Sequence, residues 1–256
     1  MANTENNPRF GATVARGSEA VDAGLRAHML RVYNYMAGAL VVTGLVAWFA
    51  FQAAGGYGIT HTAEGIGGLT PFGVTLFNPM TQLILFFATL GIVGFISFRI
   101  SRIEVGTALT LFLVYAGVLG LFLSTIFLVY TQSSIGRVFF ITAATFGAMS
   151  LWGYTTRRDL TSMGSFLFMG LIGIIIASLV GMFWHSGALQ FVISIIGVIV
   201  FTGLTAYDTQ KIKELYYVGD DGAVAGRKAV MGALSLYLDF VNLFLMLLRL
   251  MGNNRS

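Results

Sequence analysis

The chain has 256 residues, of which 56% are hydrophobic and 10% charged, against about 25% charged in an ordinary soluble domain. So few ionic groups cannot clothe a water-soluble surface, so most of the exterior must face lipid. With no cysteine, disulfides, thiolate catalysis and cysteine-ligated metals are excluded, and a net charge of +4 without a basic patch does not suit nucleic acid.

Residues 1–28 are polar and have no apolar period. They are expected to form a flexible cytoplasmic tail, helical near its end. They do not form a signal peptide, because acidic residues precede a late apolar run. Seven apolar runs follow, at 31–53, 81–99, 106–130, 136–155, 164–184, 188–209 and 228–250. Each is close to the ~20 residues a helix needs to cross a bilayer. The expected fold is therefore an all-α membrane protein. Its seven-transmembrane-helix bundle occupies residues 29–252, and 253–256 form a short C-terminal tail. Residues 54–80 are rich in Gly and Thr and contain Pro71 and Pro79, which marks an extramembrane loop. In the fifth run, Gly173, Ala177 and Gly181 lie four apart on one face, a spacing that permits close helix approach.

Basic residues orient the bundle. Arg9, Arg16, Arg26 and Arg31 precede or open the first run. Arg99 and Arg102 lie after the second, Arg157 and Arg158 after the fourth, and Lys211, Lys213, Arg227 and Lys228 after the sixth. The alternate connections carry only Arg137. Positive-inside asymmetry puts the N-terminus and these loops in the cytoplasm. Seven crossings then leave the C-terminus outside, where Arg249 and Arg255 are a mild objection.

Ionisable groups within a span are expensive and mark functional candidates. Asp208 in the sixth run and Asp239 in the seventh are the acids that qualify. Ser235, Asp239 and Asn242 follow i, i+4, i+7 spacing and share one helix face. That polar stripe in an otherwise apolar helix predicts a central position for the last helix. Counting ~1.5 Å per residue from the intervening turn puts the two acids at depths about 6 Å apart, close enough for side chains or a small slide to bridge. Two carboxyls meeting in a low-dielectric bundle cannot both ionise comfortably and would share a proton as a coupled unit. Such a pair suits a pH-gated ion path, a proton relay or acid–base chemistry. Arg99 and Arg102 are possible cationic partners, or simply positive-inside anchors. His28, His61 and His185 lack metal-ligand spacing, so no zinc site is expected.

The run TGLTAYDTQKIKELY followed by ALSLYLDFVNLFLMLLRLMG resembles the signature pair of the Bax inhibitor-1 family, the transmembrane Bax inhibitor motif proteins. The block from LSTIFLVYTQSSIGRVFF through TTRRDLTSMGSFLF to IASLV is similar to the family's third-to-fifth-helix region. The resemblance covers residues 25–252. It implies seven helices with the last surrounded by the others, and a pH-sensitive calcium leak governed by an aspartyl pair. That pair carries over to Asp208 and Asp239, with a basic residue at the end of the second helix, Arg99 or Arg102, as partner.

Three functions follow as expectations. The first is a Ca²⁺ leak channel of the cell (inner) membrane, with Asp208 and Asp239 as gate and weak, transient Ca²⁺ ligands and with Ser235 and Asn242 as a polar stripe. Ca²⁺ is then the permeant ion and no cofactor is needed. The alternative is a regulatory partner of other membrane proteins, for example a membrane protease modulator. The third, an intramembrane aspartyl protease, is disfavoured: Ser-Leu-Tyr-Leu precedes Asp239 in place of Gly-x-Gly, and no proline within a span can supply a Pro-Ala-Leu element. No enzyme is therefore expected, and a monomer suffices.

Overall fold

The computed structural model describes residues 8–62, 65–184 and 186–255. Nine α-helices are present among them: α1 (Pro8–Ala53), α2 (Pro71–Leu76), α3 (Pro79–Arg99), α4 (Val105–Leu123), α5 (Ile126–Val129), α6 (Gln132–Thr155), α7 (Thr161–Phe183), α8 (Gly187–Glu214) and α9 (Gly222–Met251). A two-stranded antiparallel hairpin, β1 (Thr60–Thr62) with β2 (Gly65–Gly67), decorates the connection between α1 and α2. Seven segments are long and apolar enough to cross a membrane: Ala23–Ala53, Pro79–Arg99, Val105–Val129, Gln132–Thr155, Thr161–Gly181, Gly187–Glu214 and Gly222–Met251. The expected all-α bundle is thereby borne out. Part of the polar segment expected to be a flexible tail is helical, since α1 starts at Pro8.

Local chemistry explains where the helices start. Pro71 and Pro79 occupy first-turn positions of α2 and α3, where a missing N–H leaves no bond unmade. Thr70 Oγ1 accepts from Gly73 N at 3.1 Å, and Asn78 Oδ1 accepts from Met80 N at 2.9 Å, each satisfying an otherwise free donor. The third span is not one helix. It breaks between α4 and α5, where Ser124 Oγ donates to Leu121 O and Thr125 Oγ1 to Phe122 O; hydroxyls that return to nearby carbonyls compete with the helical ladder. Beyond its apolar run α8 continues to Glu214, and α9 begins at Gly222 rather than at residue 228.

The last helix is the hub. In α9, 72% of the span is buried, against 11% in α3 at the periphery. It packs on α8, α1, α6 and α4. Tyr237 is fully buried, with Phe112 and Tyr115 of α4 edge-on to its ring at 5.4 and 5.7 Å. Thr43 of α1 lies 2.6 Å from the Tyr237 hydroxyl and also reaches Ala39 O and Ala116 O. A hydroxyl has one proton, so Tyr237 donates to Thr43, and Thr43 donates to a carbonyl.

Two glycines set the closest helix approaches. A Cβ on Gly153 of α6 would strike the Ala206 backbone of α8, and one on Gly120 of α4 would strike Thr43 O of α1. The stripe expected in α7 behaves differently: Gly173 has open space where a Cβ would stand, while Gly164 and Gly170 pack on Tyr207 and Val200 of α8.

Because seven segments alternate, the turns 100–104, 156–160 and 215–221 share one end of the bundle, here termed the basic face. The 54–78 connection and the C-terminus share the other end. There Arg255 N donates to Val129 O at 2.8 Å, and its guanidinium stacks 5.8 Å from the rings of both Phe51 and Tyr57. Asn253 O accepts from Thr131 N at 3.0 Å. The last crossing is therefore complete, and Arg255, the mild objection to it, has a built seat at that end.

Candidate functional site

The α8–α9 turn sets the register that brings the acids together. Asp221 caps α9, its Oδ1 accepting from Val224 N at 2.6 Å. Lys228 Nζ pairs with Asp220 at 2.5 Å and donates to Leu215 O at 2.9 Å, pinning the turn against the first coils of α9. One step deeper, Gly232 packs on Ile212. From that rung Asp208 is four residues back and Asp239 seven residues on, about 6 and 10 Å deep at 1.5 Å per residue. The residual offset of about 4 Å is within side-chain reach.

At that level the Ser235 hydroxyl donates to Asp208 Oδ2. Asp239, on the next turn of α9, is 6% exposed, and no donor reaches its Oδ2. Asp208 and Asp239 line the same cavity, and two carboxyls there can hydrogen-bond to each other only when one of them holds a proton. Asn242 lies beside them, with its amide donating to Leu238 O of its own helix at 2.9 Å.

Two cavities meet at Asp208. One, of about 490 Å³, lies between α3, α8 and α9 and is lined by Ser97, Ser101, Lys211, Arg227 and Ser235 among others. The second, of about 630 Å³, lies between α7, α8 and α9 and is lined by Gly164, Ser165, Tyr207, Asp239 and Asn242 among others. Asp208, Lys211, Ser235 and Leu238 belong to both. Toward the opposite end, Tyr237, Phe240, Leu243 and Phe244 are buried in the core.

Sequence reasoning named Asp208, Asp239, Ser235 and Asn242, and the fold gathers all four. It does not gather the arginines: Arg99 ends α3, Arg102 lies in the following turn, both are exposed, and neither lines a cavity with the acids. The cation acting on Asp208 is Lys211, one turn along its own helix, with its ammonium 5.8 Å from the Tyr207 ring. His28 is buried with its ring 5.7 Å from that of Tyr216; His61 lies in β1, and His185 is outside the described residues. Among the described residues, no group of three or more His, Asp or Glu is arranged to hold a metal ion.

Other polar residues escaped notice. Tyr33 OH, Ser150 Oγ and Thr209 Oγ1 form a chain with steps of 2.5 and 3.0 Å joining α1, α6 and α8. Gln210 accepts from Leu160 N and donates to Arg158 O, both at 2.8 Å, stapling the α6–α7 turn to α8. The one sequence signal was the i, i+4 pair Thr205 and Thr209 on the Asp208 helix.

Comparison with known proteins agrees with this architecture. Residues 25–256 match the family model described as inhibitor of apoptosis-promoting Bax1. A Rickettsia prowazekii protein is 48% identical over 244 residues, spanning 95% of this chain and 97% of its own length. The Escherichia coli inner membrane protein YbhL is 45% identical over 235 residues, 91% of this chain and 94% of its own. A Caulobacter vibrioides protein is 42% identical over 245 residues, 94% of each. With its seven crossings and a family match over nearly its whole length, this chain belongs to the Bax inhibitor-1 family of multi-pass membrane proteins.

Proposed function

We propose that the protein is a pH-sensitive calcium leak channel of the cell membrane, gated by Asp208 and Asp239 acting as a proton-sharing pair. The observation that supports this is that Asp208, bonded by Ser235 of α9, stands where two cavities converge, with Asp239 lining the second of them one turn further along α9. With one proton between them, the pair carries a single negative charge and holds α8 against α9, helped by the Ser235 hydroxyl. Losing that proton leaves two like charges side by side in a low-dielectric interior, a repulsion relieved when the helices part. Lys211, not Arg99 or Arg102, is the cation that competes with the proton.

Two carboxylates are hard oxygen donors suited to Ca²⁺, yet too few for tight binding, as a permeation path requires. Ser235 and Asn242 add neutral polar groups at the same level. The buried side chains of Tyr237, Phe240, Leu243 and Phe244 form the closed seal, and a shift of α9 moves seal and acid pair together. Ca²⁺ is cargo, no resident cofactor is required, and the acids act as a gate, without an enzymatic reaction. The clustering of Arg26, Arg157, Arg158, Lys211 and Lys213 at one end supports, by the positive-inside rule, a cytoplasmic side for that face and for the N-terminus.

The test is Ca²⁺ flux into proteoliposomes between about pH 5 and 8, comparing the native chain with Asp208→Asn and Asp239→Asn. Native flux that varies with pH, and a curve flattened by either substitution, is the expected result. Folded protein that passes no Ca²⁺ at any pH rejects the channel and leaves regulation of a partner membrane protein as the function to pursue.

A further inference from the structure

The cavity of about 490 Å³ between α3, α8 and α9 has a second use that ion conduction does not require. Its walls are of two kinds. Toward the basic end stand Lys211, Arg227 and Lys228, with Ile212 and the hydroxyl residues Ser97 and Ser101; deeper in, Met231, Leu234 and Leu238 make an apolar trough. Lys228 is engaged by Asp220, but Lys211 and Arg227 have no ion-pair partner among the described residues. Asp208 is the acid on the wall, and it is already bonded to Ser235.

Position selects the occupant. Lys211 lies three residues before the end of α8 and Arg227 five residues after the start of α9, which puts both charges at the end of the hydrophobic span, where lipid headgroups lie. The trough runs inward from there. On its open side α3 packs against α4 and α2 rather than closing onto α9, so the cleft lies between a peripheral helix and the hub. A cationic mouth over an apolar trough at that depth complements an anionic amphiphile, and basic pockets between transmembrane helices are suited to anionic headgroups. The volume is within the range of sites that hold small molecules. We infer that this cleft is a binding site for an anionic phospholipid, its phosphate held between Lys211 and Arg227 and one acyl chain laid along Met231, Leu234 and Leu238.

The site shares Lys211 with the acid pair, so an occupant would draw that cation away from Asp208. Binding itself depends on no assumption about conduction.

Native mass spectrometry of the purified protein in neutral detergent tests this, with phosphatidylglycerol and phosphatidylcholine as probes. The expected result is preferential retention of phosphatidylglycerol, with a preference reduced on the order of 30-fold in Lys211→Gln/Arg227→Gln. Arg157→Gln/Arg158→Gln, which removes the same charge from the same face outside the cleft, should keep the preference. Equal loss in both double variants overturns the site in favour of diffuse attraction. Displacement of phosphatidylglycerol by equimolar inorganic phosphate overturns the lipid in favour of a free anion, and a native dimer that excludes phosphatidylglycerol assigns the cleft to a second copy. Met231→Trp fills the trough and leaves every charge in place; it should displace the lipid too. Unchanged retention in that variant rejects the seat even if the charge variant does not fold.

Discussion

Ser235 donates its hydroxyl to Asp208 across the α8–α9 interface, while Asp239, one turn further along α9, keeps an oxygen that no donor reaches. The two acids are thus unequal neighbours. One is anchored and lines both cavities; the other is buried and lines only the second. That asymmetry bears on stability as well as on gating.

Asp239→Asn removes the buried acid and keeps its shape and a donor for Asp208. Removing one of two carboxyls that share a low-dielectric site relieves the cost of ionising both. The melting temperature in detergent at neutral pH should rise for Asp239→Asn and fall for Ser235→Ala, which leaves Asp208 without its donor. A lower melting temperature for Asp239→Asn would mean that the carboxyl is an indispensable structural acceptor.

Tyr237→Phe deletes the phenol that donates to Thr43 and leaves the ring between Phe112 and Tyr115. A buried hydrogen bond contributes about 1 kcal/mol net, so a modest drop in thermal stability is expected. If the segment around Tyr237 is the seal, basal Ca²⁺ flux should increase in the same variant. Unchanged flux with reduced stability would place the seal elsewhere.

Gly153→Leu should be far more damaging. The Ala206 backbone occupies the space where even a Cβ would stand, so α6 and α8 must separate, and overpacking of this kind costs about 1–3 kcal/mol or more. Loss of a monodisperse peak in size-exclusion chromatography is the expected outcome. Gly173→Ala, at a position with open space, should elute as native.

Asp159 lies in the exposed α6–α7 turn, where the side chain and backbone N–H of Thr161 hold its carboxyl below the ordinary value of 3.8. A depressed folded-state value means that its contribution is present above 3.8 and lost as pH falls through the lower folded value. Nothing about Asp159 changes between about pH 5 and 8, so Asp159→Asn should give a flux–pH curve superimposable on the native one. A shifted curve would bring the basic-face turn into the gate.

The seat of Arg255 on Phe51 and Tyr57 places the C-terminus at the end opposite the basic face. Alkaline phosphatase fused after Ser256 should therefore be active in a bacterial host, and an N-terminal fusion inactive. Removing residues 253–256 should lower the melting temperature without changing the number of crossings.

Much of this was legible in the chain itself. Seven apolar runs of spanning length are a solvation constraint local to each segment, so their number and approximate bounds follow from residue order alone. Charge asymmetry orients them by the same kind of additive rule. The polar stripe Ser235, Asp239 and Asn242 marked α9 as the helix other helices must cover, because lipid cannot satisfy those groups. Other features were illegible because they depend on which faces meet. The halt at Ser124–Thr125 comes from hydroxyls that choose local carbonyls over the ladder. Lys211 became the cation of the acid pair, and Arg99 and Arg102 did not, because α3 packs on α4 at the rim and leaves a cleft between itself and α8. Periodicity says which residues share a face of one helix; it cannot say how two helices are rotated against each other. That rotation, set by Gly232 on Ile212 and by the Lys228–Asp220 clamp, is what turned two isolated acids into a pair.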